Sequence, residues 1–231
     1  MNTARWVIAR ELRPRGGWRE VVVPIGLGEE LVVGREGDLP LGVDPEDNGI
    51  SRVALQITAA DRGWRIDVGN RSGARIYPWG LAATTAHAHQ SLDWPLVGVR
   101  VHCPTEIHQH WVLLESRSSA GAESPTLSGV GTNTRTATRP RPLTEAEAAT
   151  LQLVFGDFIA WPPRPSATAL QLKQAAKRLE VSDSAIQERL KGIVAKARRL
   201  GLDRMVRLTE PEYLHVLVGA GYLAPPVRNR G

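Results

Sequence analysis

Cysteine is almost missing from this 231-residue chain, which has one, Cys103. That excludes an internal disulfide and any metal cluster built on several thiolates. Lysine is also scarce: only four of the 29 basic residues are lysines (Lys173, Lys177, Lys191 and Lys196), a bias that fits a GC-rich bacterial genome. No apolar run approaches the roughly 20 residues that span a bilayer. The opening Met1–Arg10 stretch lacks the charged-then-apolar layout of a secretory signal. The expectation is a soluble cytoplasmic protein with no membrane partner. There is no nucleophile elbow, no metalloprotease helix motif and no Gly-Lys-Ser/Thr phosphate loop. No catalytic residue, cofactor or metal ligand is therefore expected, and the chain does not read as an enzyme.

What is present is close to a globular average, with 42% hydrophobic and 23% charged residues. At on the order of 100–200 residues per domain, the length suits two ordinary domains. The net charge of +5 is unevenly spread. Residues 1–115 carry 12 basic and 14 acidic side chains, whereas residues 143–231 carry 13 and 9. By charge alone, an anionic partner belongs to the second half.

Side-chain periodicity divides the chain at the same place. Up to residue 115 it reads as short strands, among them Glu20-Val-Val-Val, Ala54-Leu-Gln-Ile and Trp64-Arg-Ile-Asp-Val, separated by turns rich in Gly, Asp, Asn and Pro. This predicts an antiparallel β-sandwich or barrel over 1–115. Residues 116–142 have few large apolar side chains and abundant Ser, Thr, Gly and Pro, so they read as a flexible linker. Residues 143–231 are helical. Thr144 and Glu147 form a capping pair, and Leu151, Val154, Phe155 and Phe158 line one face of a first helix. A second helix is expected over about Thr168–Glu180. A third runs from Ser182 or Ser184 to about Leu200, with Gly192 interrupting it. A fourth is expected to start at a Thr209 cap.

In the front half, Val33-Gly34-Arg35 is followed by Ile50-Ser51-Arg52-Val53-Ala54 and then by Asn70-Arg71-Ser72-Gly73. The order and spacing of these blocks resemble the forkhead-associated (FHA) domain, a phosphothreonine-binding β-sandwich with Gly-Arg, Ser-Arg-x-His and Ser-x-Asn-Gly motifs. The resemblance covers nearly all of residues 5–115. It implies that Arg35 forks onto a phosphate, that Ser51 donates its hydroxyl and that Arg52 adds a second charge. It also puts Arg71 and Ser72 in the loop that holds the peptide backbone. A phosphate dianion calls for this set: a bidentate guanidinium, a hydroxyl donor and a further cation. Two positions depart from the family. Ala54 replaces its bracing histidine, and Ser72 replaces its backbone-clamping asparagine, which weakens the grip on peptide. The alternative is a sandwich without phosphopeptide binding, in which Arg35 pairs with an acid such as Asp47 or Asp67.

Two histidine pairs, His87 with His89 and His108 with His110, have the i, i+2 spacing of one strand face and are expected to be exposed strand residues. Cys103 is expected to be a small core residue.

In the back half, Ala175-Ala-Lys-Arg-Leu-Glu-Val-Ser-Asp-Ser-Ala-Ile-Gln-Glu-Arg-Leu looks like a helix-turn-helix. With the preceding helix it resembles the LuxR-type output domain, although Glu180 holds the turn position usually given to Gly. The resemblance implies that Ser182, Ser184, Gln187 and Lys191 face a major groove, with Lys173, Lys177, Arg178, Arg198 and Arg199 on the DNA backbone. The alternative is a helical bundle that docks protein. Five linker threonines, Thr126, Thr132, Thr134, Thr136 and Thr138, are candidate phosphorylation sites for self-capture.

Together these readings predict an all-β FHA-like sandwich followed by an all-α helix-turn-helix bundle. The expected function is a phosphothreonine-dependent signalling protein that couples a phosphorylated partner to double-stranded DNA. The alternative is an adaptor whose helices bind protein.

Overall fold

The computed structural model describes residues 5–13, 16–44, 46–104, 109–116 and 140–226. Most of the linker, its five threonines and His108 lie outside these. The described residues fall into two compact units, 5–78 with 83–116, and Trp79–Ala82 with 140–226.

The first unit is a β-sandwich. One sheet takes β1 (Arg5–Leu12), β2 (Trp18–Pro24), β7 (Ala74–Pro78), β8 (Thr84–Ala86), β10 (Leu96–Val101) and β11 (His110–Ser116), in the order β2-β1-β11-β10-β7-β8. The other takes β3 (Glu30–Gly34), β4 (Leu39–Pro40), β5 (Leu55–Ala60), β6 (Gly63–Val68) and β9 (Gln90–Leu92), in the order β4-β3-β5-β6-β9. All pairings are antiparallel except β3 with β4. The predicted alternation holds where one face is buried: Trp64, Ile66 and Val68 point inward while Arg65 is exposed. Trp64 is fully buried, and truncating such an aromatic costs about 3–5 kcal/mol. Arg5 links the sheets, its Nη2 donating to the carbonyls of Ala60 (2.8 Å) and Asp61 (2.9 Å).

The second unit holds α1 (Glu145–Val154), α2 (Leu172–Arg178), α3 (Asp183–Arg199) and α4 (Glu212–Gly219). The capping box at Thr144 and Glu147 forms as expected, with reciprocal bonds of 3.2 and 2.7 Å. Lys196 of α3 also reaches Glu147 at 2.5 Å. Leu151, Phe155, Ile186, Leu190, Ile193 and Tyr213 form the buried centre, where Phe155 and Tyr213 meet edge to face.

Three expectations for the helices need correction. α2 begins at Leu172 rather than near Thr168, because the Leu170 amide donates to the open carbonyl of Val154 at the end of α1, and this holds the preceding residues out of the helix. α3 runs unbroken through Gly192, since one glycine in seventeen residues costs only about 1 kcal/mol. Thr209 is not a cap: Glu210 closes its own turn onto the Arg207 amide (2.9 Å), and α4 starts after Pro211. Among the described residues, no helix is long and apolar enough to cross a membrane.

Candidate functional site

Arg35, Ser51, Arg52, Arg71 and Ser72, read separately from three motif blocks, line a single groove of the sandwich together with Asn48 and Pro104. The groove exists because two loops are stitched to each other. The Arg35 and Glu36 amides donate to the carbonyls of Ser51 (3.2 Å) and Arg52 (3.0 Å). Gly34 allows the close approach, since a Cβ there would lie 2.3 Å from the Arg52 carbonyl oxygen.

The Arg35 guanidinium is anchored by neutral acceptors: Nε donates to the Ile50 carbonyl at 2.8 Å and Nη1 to Asn48 Oδ1 at 3.0 Å. The acid pairing of the alternative reading, with Asp47 or Asp67, does not form. Asp47 is bonded to His110 and Asp67 to His89, and among the described residues no carboxylate forms an ion pair with Arg35. Ser51 Oγ accepts from the Arg71 amide at 3.1 Å. A hydroxyl that accepts there keeps its own proton for another acceptor. Arg52 is paired with Glu36 at 3.2 Å, but the two side chains are 73% and 64% exposed, so water competes strongly for the contact.

The third loop is braced by Asn70, which has no counterpart among the predicted contact residues. Its buried amide accepts from the Ser51 amide (3.0 Å) and donates to the carbonyls of Gly73 (3.1 Å) and His102 (2.8 Å). Gly73, at φ +73°, closes the turn in a conformation that suits glycine. His102 beside it is held below its ordinary pKa by burial and by the positive charge of Arg100 and Arg75, and the Ser72 backbone only partly opposes this. Asn70 was within the motif block, but its role as brace depends on partners brought in by the fold.

Behind the groove, sequence reasoning missed a buried polar cluster. His110 is not an exposed strand residue: it is 1% exposed. Its Nδ1 meets Glu11 Oε1 at 2.9 Å and its Nε2 meets Asp47 Oδ2 at 3.0 Å. Burial alone would depress His110, but the two carboxylates outweigh it and raise its pKa. Burial would likewise raise Asp47, but bonds from the Gly49 amide, His110 and Cys103 hold it below the ordinary carboxylate value. Cys103 is half-buried, less enclosed than a core residue. His87 and His89 are exposed but lie in the turn between β8 and β9 rather than on a strand.

In the helical unit, α2 ends in a Schellman turn: the Val181 amide bonds the Ala176 carbonyl (3.1 Å), the Glu180 amide bonds that of Lys177 (3.4 Å), and Glu180 sits at φ +54°. Ser182 caps α3, its Oγ accepting from the Ala185 amide at 3.2 Å, and lies 2.9 Å from Ser184 Oγ. Ser184, Gln187, Lys191 and Arg198 are exposed along one stripe of α3, with Arg199 nearby. Lys173, Lys177 and Arg178 are exposed on α2. Lys191 is paired with Glu188 at 2.7 Å, and Arg198 contacts Met205 Sδ at 2.9 Å.

No family model and no curated protein match the sequence. Similar solved structures include the FHA domain of a Chlamydia trachomatis protein, at 18% identity and a TM-score of 0.35, covering 49% of this chain and 99% of that one. An engineered FHA domain with a Myc-pTBD peptide is similar at 15% identity and a TM-score of 0.36, covering 49% and 91%. The first FHA domain of a Mycobacterium tuberculosis protein is similar at 17% identity and a TM-score of 0.29, covering 51% and 100%.

Proposed function

We propose that the sandwich is an FHA-like reader of phosphothreonine and that the protein acts in signalling rather than catalysis. The observation that carries this reading is the Arg35 guanidinium, fixed in a groove by neutral acceptors with its charge unspent. A phosphate entering the groove meets that fork, the Ser51 hydroxyl proton and the guanidinium of Arg52, and Arg52 leaves Glu36 at little cost. Arg71 and Ser72 flank the peptide backbone, and Asn70 supplies the bracing that Ala54 cannot. The test is fluorescence anisotropy of a phosphothreonine peptide library with the full chain, each peptide measured beside its unphosphorylated and phosphoserine forms. Phosphate-dependent binding supports the reading, and equal binding of all three forms contradicts it.

For the helical unit we propose duplex DNA as the partner, which would make the protein a phosphorylation-responsive transcription regulator. The exposed stripe of Ser184, Gln187, Lys191 and Arg198 on α3 favours it, with Ser182 at its start and Arg199, Lys173, Lys177 and Arg178 positioned for phosphates. Affinity should then fall steeply with salt, and removing Lys191 and Arg198 together should reduce the slope by about 2. Salt-independent affinity would instead favour the adaptor in which both units bind protein.

A further inference from the structure

We propose that Asp47, Cys103 and His110 form a zinc site behind the groove wall. One ligand atom from each lies within 4.8 Å of the other two. The three come from separate segments: the loop after β4, the loop after β10 and the start of β11. Thiolate, imidazole and carboxylate are the donor classes zinc combines in one tetrahedral shell, whereas magnesium and calcium call for oxygen alone.

The orientation of the histidine singles out this arrangement. Glu11 Oε1, itself fixed by the Gly42 amide at 2.6 Å, holds the Nδ1 side of the ring and turns Nε2 toward Asp47. A carboxylate on the far nitrogen of a ligating histidine is the usual support of a metal-bound imidazole. The Nε2 to Oδ2 separation of 3.0 Å is close to the ~3.3 Å expected between two ligands at zinc bond lengths. Without a metal, His110 Nε2 lies 3.0 Å from Asp47 Oδ2, and any proton on Nε2 or on the Cys103 sulfur must leave when a cation binds. Starting from an imidazolium and a thiol, a divalent cation releases both protons to solvent, forms the Nε2, Sγ and carboxylate bonds, and leaves the net charge of the cluster unchanged. With Cys103 half-buried, water completes the fourth position.

This assignment is independent of peptide recognition, although its consequence reaches the groove. Asp47 anchors the Gly49 amide at 2.8 Å, and the adjoining Asn48 and Ile50 hold Arg35. Zinc would therefore tie two loops and the start of β11 together next to the segment that holds the arginine.

The test uses the full chain, stripped with chelator and titrated with cobalt as an optical probe, with zinc then added in competition. Cys103 is the only cysteine, so a thiolate-to-cobalt charge-transfer band reports on this site alone. The expected result is one equivalent of cobalt giving that band with tetrahedral visible bands, displaced by one equivalent of zinc. Cys103→Ser, checked for folding by circular dichroism, should lose the band. Glu11→Gln should keep it with zinc affinity lowered about 10–100-fold. Replacing both His87 and His89 with alanine should change nothing. The proposal is overturned if folded wild type shows no thiolate band at saturating cobalt, or if the bound metal lacks thiolate character and follows His87 and His89.

Discussion

The groove of the sandwich and the α3 face of the helical unit both collect cationic side chains, but they hold them differently. In the groove, Arg35 is fixed by a carbonyl and an amide oxygen, which orient a guanidinium without neutralising it. On the helical unit, Lys191, Lys196 and Arg204 each meet a carboxylate of the same unit: Glu188, Glu147 and Glu212 respectively. The half of the chain with the acidic excess thus holds an arginine oriented by neutral acceptors, while several cations of the basic half are paired with carboxylates. Counting charges along a sequence measures attraction at a distance. Whether a charge remains available depends on what holds it.

Arg35→Ala should give the largest effect. It removes a groove guanidinium held through Nε and Nη1 and should weaken phosphothreonine peptide binding about 100-fold or more by anisotropy, as expected of a central hot spot. The double variant Lys191→Ala with Arg198→Ala should leave that affinity within about twofold, and a larger change would break the contrast between the two regions. Asn70→Ala comes next. Losing the brace takes this partner from the Ser51 amide and the His102 carbonyl and leaves the Gly73 carbonyl with the His102 amide alone, so thermal and denaturant unfolding should show a loss of about 2–3 kcal/mol together with weaker peptide binding.

In the helical unit, Glu180→Gly should stabilise by about 1 kcal/mol, because Glu180 occupies a left-handed conformation at φ +54° that glycine adopts freely. Denaturant midpoints would check it, and a loss of stability would contradict the turn geometry. The smallest effect belongs to Glu36→Ala. Freeing Arg52 from an exposed ion pair should tighten peptide binding by no more than a few fold, an effect that added salt should diminish.

Much of this architecture was legible in sequence, and the remainder shows what local patterns cannot carry. Strands β5 and β6 announce themselves because one face is buried, so apolar and polar residues alternate. The Thr144 box was readable because cap and partner are three residues apart. β8 and β9, at three residues each, are too short to establish a period. β7 ends in Pro78, which reads as a break. The five groove residues could be named from motif spacing, but not what anchors them: Asn48 and Asn70 act through contacts set by the fold. His110 looked like a surface residue because its burial depends on Glu11, 99 residues away, and Asp47, 63 away.

The most direct measurement is an amide NMR titration of the full chain with a phosphothreonine peptide and its unphosphorylated twin. The account predicts saturable shifts concentrated at Arg35, Ser51, Arg52, Arg71 and Ser72, present only with the phosphate. Shifts centred on Lys191 and Arg198, or the same shifts from both peptides, would contradict it.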